Sequence, residues 1–172
     1  MARALEGARH RARPAFARAR HGRGPRRKRP MNPFIHHHNI QESKHTPAFS
    51  HVVFDGDYAF FAGQLAADRA DGKFKLGDIE EETRTSMDLL GAALKSVGLD
   101  FADVVQARVF MTDLSDFQRM NKVYISYFPP GRAPARTCVG VASLLGGTKI
   151  EIDFVARMRK TRAADEAPDR PR

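Results

Sequence analysis

The chain has 172 residues, a formal net charge of +9, 42% hydrophobic residues and a single cysteine. That length accommodates one ordinary domain with a real core. There is no apolar run of membrane-spanning length and no signal-peptide hydrophobic region, and one cysteine excludes an intrachain disulfide while being compatible with a reducing cytoplasm.

The charge is concentrated. Residues 1–30 hold ten arginines, Lys28 and a single acid, Glu6, for a net +10, which leaves −1 for the remainder. This leader is rich in Arg, Ala, Pro and Gly and nearly free of aliphatic residues, so it cannot bury enough apolar surface to order itself. A nucleic-acid tail, an organelle transit peptide and a nuclear-localisation run at Arg26-Arg27-Lys28-Arg29 are the functional readings. The plainer one is an over-extended start, with Met31 opening the domain. His36-His37-His38 suggests a metal tract by composition. Consecutive histidines in an unstructured arm, with no Cys/His/Asp cluster at ligand spacing, make a poor preformed site, so no metal is expected. The division expected is a basic unstructured leader over 1–47, a folded domain over 48–159 and a charged, Pro-containing unstructured tail over 160–172.

The folded part begins with two β-rich runs, Phe49 to Phe54 and Tyr58 to Gly63, around Asp55-Gly56-Asp57, a hairpin signal. Gly63 ends the second run, either as a plain turn residue or where missing side-chain bulk lets a ligand reach the backbone. Asp78, with Glu81 three residues on, opens a helix by a capping box. Its buried stripe is Ile79, Thr83, Met87, Leu90, Leu94 and Val97, and Gly98 stops it. Asp103 to Met111 reads as a third strand. Leu114 to Phe128 reads as a second helix, with Phe117, Met120, Val123, Tyr124 and Tyr127 on its apolar side and Asn121 among them. Pro129-Pro130-Gly131 breaks it.

Two strand-like runs then flank Gly146-Gly147. Arg136, Cys138, Gly140 and Ala142 share one face of the first; Ile150, Ile152 and Phe154 oppose Glu151, Asp153 and Val155 on the second. An arginine beside a cysteine and two small residues makes a poor core face. It suits a small anion, because a guanidinium grips a carboxylate through two parallel hydrogen bonds and a nearby glutamate can hold or deprotonate a water. The competing reading is a charge pair on a solvated sheet face. If Gly146-Gly147 is a two-residue hairpin turn, Glu151 lies opposite Ala142, on the Arg136 face but about 20 Å along the strand. A shared site then requires a bulge, another pairing or a neighbouring subunit.

The expected order is ββαβαββ, an α+β sandwich with two helices on one face of a mixed sheet. One helix layer leaves the second face, with Val53, Phe61, Val105 or their strand neighbours, to water or to another subunit, so oligomerisation is expected.

The run P-A-R-T-C-V at 134–139 followed by K-I-E-I-D-F-V-A at 149–156 resembles the C-terminal signature of the RidA (YjgF) family of enamine/imine deaminases, also called endoribonuclease L-PSP. Ala62-Gly63-Gln64, Asn121-Lys122-Val123-Tyr124 and Phe128 agree in order, and the resemblance covers about Phe49 to Met158. It implies a homotrimer with ligand clefts between subunits. It also implies hydrolysis of enamines or imines of small 2-amino acids to 2-keto acids and ammonia, without metal or organic cofactor. Arg136 would anchor the substrate carboxylate, Glu151 would position water, Gly63 and Cys138 would offer backbone contacts, and Asn121 would shape the site. The chain departs from the best-supported deaminases at Phe49, where they carry tyrosine, at Ala62, where they carry serine, and at Leu89, often asparagine there. Two lost hydroxyls point to a larger or less polar substrate, of aminomuconate type, or to a non-catalytic carboxylate-binding regulatory trimer. A ribonuclease would want a basic groove on the fold, and a near-neutral domain argues against one; only the basic leader offers nucleic acid a charged surface.

Overall fold

Alternation and turn chemistry place a tight hairpin at the start of the domain, and the structure, a computed structural model, contains it. Residues 32, 34–40, 48–68 and 71–159 are described, all in the unit from Met31 onward. The expectations for the leader before Met31, and for the tail from Lys160, lie outside the described residues. Strand β2 (Val52–Asp55) pairs antiparallel with β3 (Tyr58–Leu65), Asp55 opposite Tyr58. Gly56 takes φ +57 at the first loop position, which glycine alone adopts without strain.

Helix α1 (Ile79–Ser96) starts where the sequence indicates. Asp78 accepts from the Glu80 and Glu81 amides at 2.9 and 3.0 Å, and the Glu81 carboxylate accepts from the Asp78 amide at 3.1 Å. Gly98, at φ +76, ends it in a Schellman arrangement, with Leu99 N–H donating to the Leu94 carbonyl at 3.0 Å. Ile79, Thr83, Met87, Leu90 and Leu94 are buried, as their spacing requires. Helix α2 (Phe117–Ile125) is shorter than the expected Leu114 to Phe128. A 3₁₀ turn occupies Leu114–Asp116, and the chain leaves the helix before Tyr127.

Among the described residues, six strands form one sheet in the order β1-β2-β3-β6-β4-β5. Here β1 is Ile35–His38, β4 Val104–Met111, β5 Ala135–Gly140 and β6 Ile150–Arg157. Two expectations are corrected. First, β1 lies inside the stretch read as an unstructured arm: Ile35–His38 pairs antiparallel with β2, which gives its backbone the partners a solitary arm lacks. The three histidines therefore alternate between sheet faces. Second, β5 and β6 are not a hairpin. β5 pairs parallel with β4, while β6 lies between β3 and β4, antiparallel to both. Burial explains the choice. Ile150, Ile152, Phe154 and Ala156 are fully enclosed, which an interior strand provides, whereas Thr137, Val139 and Gly140 of β5 are exposed and tolerate an edge. Gly146 and Gly147, at φ +64 and +75, turn the chain across to the interior slot instead of folding it back.

The units β3-α1-β4 and β4-α2-β5 both step the same way across the sheet, so one handedness places both helices on one face. The core lies between them and Val52, Phe61, Ala107, Val109, Ile152 and Phe154. Phe61 therefore points inward, and its neighbour Phe60 takes the open face. Phe60 (44% exposed), Val105 (41%) and Val139 (39%) put apolar surface on that face that none of the described residues covers.

Candidate functional site

Arg136 stands opposite Ala107 in the β4–β5 ladder, and Glu151 stands opposite Phe110 in the β4–β6 ladder. Positions 107 and 110 have opposite parity on one strand, so the two side chains leave opposite faces of the sheet. They are also two strand spacings apart, about 9.6 Å, and three residues along, about 10 Å. The expectation that Glu151 lies on the Arg136 face depends on the hairpin and falls with it.

On the helix side, Arg136 is half-buried at the edge strand. Its guanidinium carbon lies 5.4 Å from the Phe117 ring centre and 4.6 Å from that of Tyr124. Phe117, Asn121 and Tyr124 recur at i, i+4 and i+7 of α2, so one stripe of the helix faces this end of the sheet. Among the described residues Arg136 has no hydrogen bond or ion pair. Its five N–H donors are therefore available to a ligand. Cys138 shares the face, its sulfur 3.8 Å from that of Met111. Burial pushes its thiol up, against a smaller downward pull from Arg136. It therefore stays protonated and is no nucleophile at neutral pH. Tyr124 is buried, its phenol pushed up to about 12 by that burial, and its hydroxyl has no hydrogen-bond partner among the described residues.

On the open face, β3 carries a bulge between Phe61 and Gln64, so that Ala62 and Gly63 oppose Asp153 alone. Gly63 leaves the space that the Glu151 carboxylate occupies, since a Cβ built on it would overlap that carboxylate. Glu151 is half-buried. Desolvation first, and the neighbouring Asp153 charge second, raise its proton affinity. Asp153 itself is held by Arg108, whose Nε donates to Oδ1 at 2.9 Å while Nη2 lies 2.8 Å from Oδ2. The Ala62 amide donates to the His51 carbonyl at 3.0 Å, and Phe49 meets the His51 ring edge-on at 5.5 Å. Leu89 lines a separate cavity of about 130 Å³ with Ile40, His51 and Gln64, which neither Arg136 nor Glu151 reaches.

The candidate residues thus fall into two half-sites. Arg136, Cys138 and the α2 stripe bearing Asn121 occupy one; Glu151, Gly63 and Ala62 occupy the other. Two features escape a reading by periodicity. Phe117 and Tyr124 read as ordinary core positions of α2, and only the parallel pairing of β5 shows that an arginine shares their space. The Arg108–Asp153 pair depends on strand order, which local alternation does not give.

Comparison with known proteins yields a consistent set. The endoribonuclease L-PSP family pattern matches residues 40–158. Protein DfrA of Myxococcus xanthus is 40% identical over 121 residues, 69% of this chain and 92% of that one. The 2-iminobutanoate/2-iminopropanoate deaminase of Rattus norvegicus is 36% identical over 109 residues, 63% of this chain and 79% of the enzyme. Among solved structures, E. coli TdcF with bound serine superposes with a TM-score of 0.61 at 31% identity, covering 67% of this chain and 91% of that one. No helix among the described residues is long and apolar enough to cross a membrane.

Proposed function

The chain belongs to the endoribonuclease L-PSP (RidA/YjgF) family, and from that premise we propose that it hydrolyses reactive imines of small 2-amino acids in sites shared between copies of a homotrimer. The observation that carries the reading is the divided constellation: an unpaired, half-buried Arg136 on one face and a desolvated Glu151 beside Gly63 on the other. Either half alone is an incomplete catalyst. The open apolar face supplies the surface that a second copy would cover, and an edge strand of one copy reaching the open face of the next would join the halves. The relatives named as deaminases, and the serine bound to TdcF, favour an amino-acid-like ligand.

The chemistry is short. Arg136 takes the substrate carboxylate through two N–H donors and fixes the imine in place. Glu151 accepts a proton from a water as its oxygen attacks the iminium carbon. The resulting carbinolamine loses ammonia to give the 2-keto acid. Protonation already makes the imine carbon electrophilic, so Arg136 and Glu151 suffice for the steps described. Phe49 and Ala62 bring no hydroxyl to the site, which favours a larger, less polar imine of aminomuconate type. The same absence supports the second reading, a carboxylate-binding trimer without turnover. The test is ammonia and keto-acid release from imines generated in situ by an amino-acid oxidase. Acceleration by the protein is expected; none across small and aromatic substrates leaves the binding trimer.

The pH dependence follows from Glu151. Its folded proton affinity is raised, so rate rises with pH through a midpoint above the usual glutamate value, where the base ionises. Between the unfolded and the raised folded values the native state binds the extra proton, so Glu151 costs stability as pH rises through that window. Glu151→Gln lowers kcat about 100-fold, and its thermal midpoint at pH 7 is expected to be no lower than that of the wild type. A midpoint clearly below wild type at pH 7 contradicts the assignment.

Gly63→Ala separates catalysis from folding. The clash falls on the far end of a flexible glutamate, which moves aside cheaply. Turnover is expected to fall at least tenfold, about the scale of a displaced general base. The melting temperature should stay within about 2 °C, since no core contact is lost. A change in stability with unchanged rate would reverse the interpretation.

A further inference from the structure

We infer that Phe117 and Tyr124 are positioning residues that hold the Arg136 guanidinium in its carboxylate-binding pose, an inference that rests on the anchor role proposed for Arg136. Two other arginines of the sheet, Arg108 and Arg157, also lie near a ring, but each is held by a carboxylate, Asp153 and Asp57. Arg136 has no carboxylate partner among the described residues and is held by two ring faces alone, at 5.4 and 4.6 Å. The difference matters chemically. A carboxylate clamp would consume N–H donors and neutralise the charge, leaving little for a ligand. A ring face attracts the cation through its quadrupole and uses no donor. The pair therefore restricts the side chain while keeping all five donors and the full charge for an incoming carboxylate.

The local sequence supplies this platform from one helix stripe. Phe117 opens α2 and Tyr124 lies two turns on, both facing the edge strand where Ala107 pairs with Arg136. The Tyr124 hydroxyl is buried without a hydrogen-bond partner among the described residues, so the ring and not the oxygen does the holding. Tyr124 also packs 4.9 Å from Phe128 and is core in its own right; Phe117 is only half-buried and is the cleaner probe.

The experiment is calorimetric titration of the full-length protein with 2-oxobutanoate, a stable keto acid carrying the carboxylate without the reactive imine. Phe117→Leu, Phe117→Tyr and Tyr124→Phe are compared with wild type. Phe117→Leu, which keeps apolar bulk but removes the ring, is expected to weaken binding about tenfold. Phe117→Tyr and Tyr124→Phe, which keep both rings, should bind within about twofold of wild type. If the rings are merely core, Phe117→Leu shifts the melting temperature but leaves the dissociation constant unchanged, and the inference is overturned. Wild type that binds the keto acid but turns over no imine removes the deaminase reading alone, with the ring effect still measured. Wild type that binds no carboxylate overturns both.

Discussion

Co-expressing Arg136→Ala subunits with Glu151→Gln subunits is expected to restore activity to about a quarter of wild type, although each variant alone is nearly inactive. Arg136→Ala removes the bidentate anchor, a loss of about 2–5 kcal/mol in transition-state binding, or about two and a half orders of magnitude in kcat/KM at the middle of that range. Glu151→Gln removes the base. In a cyclic assembly each site would take Arg136 from one copy and Glu151 from the next, because the two residues leave opposite faces of the same sheet. A site is then intact when its Arg136 comes from a Glu151→Gln subunit and its Glu151 from an Arg136→Ala subunit. With equal, random mixing each condition holds half the time, so about one site in four is wild type. The check is ammonia release by the mixed oligomer, with composition measured by mass spectrometry. If both residues act within one chain, mixing restores nothing and the divided site is wrong.

The faces that underlie this expectation were half legible in the sequence. Alternation showed that Arg136 and Cys138 share one side of their strand, and that Ile150, Ile152 and Phe154 oppose Glu151. Both hold in the structure. What alternation cannot show is which strand lies beside which. Gly146-Gly147 has the left-handed chemistry of a hairpin turn, and the same chemistry serves a crossover, so the local signal fixes a turn and leaves the pairing of the flanking strands open. The capping box at Asp78 and the hairpin at Gly56 were legible because their determinants lie within a few residues of each other. Strand β1 was not, because Ile35–His38 is extended only by virtue of the β2 edge it pairs with. The aromatic support of Arg136 was missed for a similar reason: Phe117 and Tyr124 satisfy the core pattern of α2 whether or not a cation lies over them.

Glu82 is the sharpest case of a determinant that a hydrophobic pattern cannot reveal, and replacing it by alanine is expected to cost about 3 kcal/mol of stability. Its position, three residues from Ile79 and four from Ser86, lies on the buried face of α1, and the residue is fully inaccessible. Three groups are turned toward its carboxylate. The Gly77 amide donates at 3.1 Å, the Lys149 amide at 2.6 Å, and the Lys149 ammonium lies at 3.5 Å while also donating to the Gly77 carbonyl at 2.7 Å. The carboxylate therefore ties the start of α1 to the start of β6 through two residues 67 positions apart in the chain. Truncation leaves two backbone amides without their acceptor, at about 1–3 kcal/mol each. It also strips the half-exposed Lys149 of its counter-ion, a smaller loss because that end reaches water. Partial relaxation and entry of water bring the sum toward the lower end of the range for breaking a buried pair. With a urea slope of about 1–3 kcal/mol per molar, the unfolding midpoint should fall by roughly 1–3 M at fixed protein concentration. Glu82→Gln, which keeps one carbonyl acceptor, should fall between. A midpoint for Glu82→Ala within about 0.3 M of wild type, too small a shift for two orphaned amides, would mean that water replaces the carboxylate without cost and that the tie between α1 and β6 is dispensable.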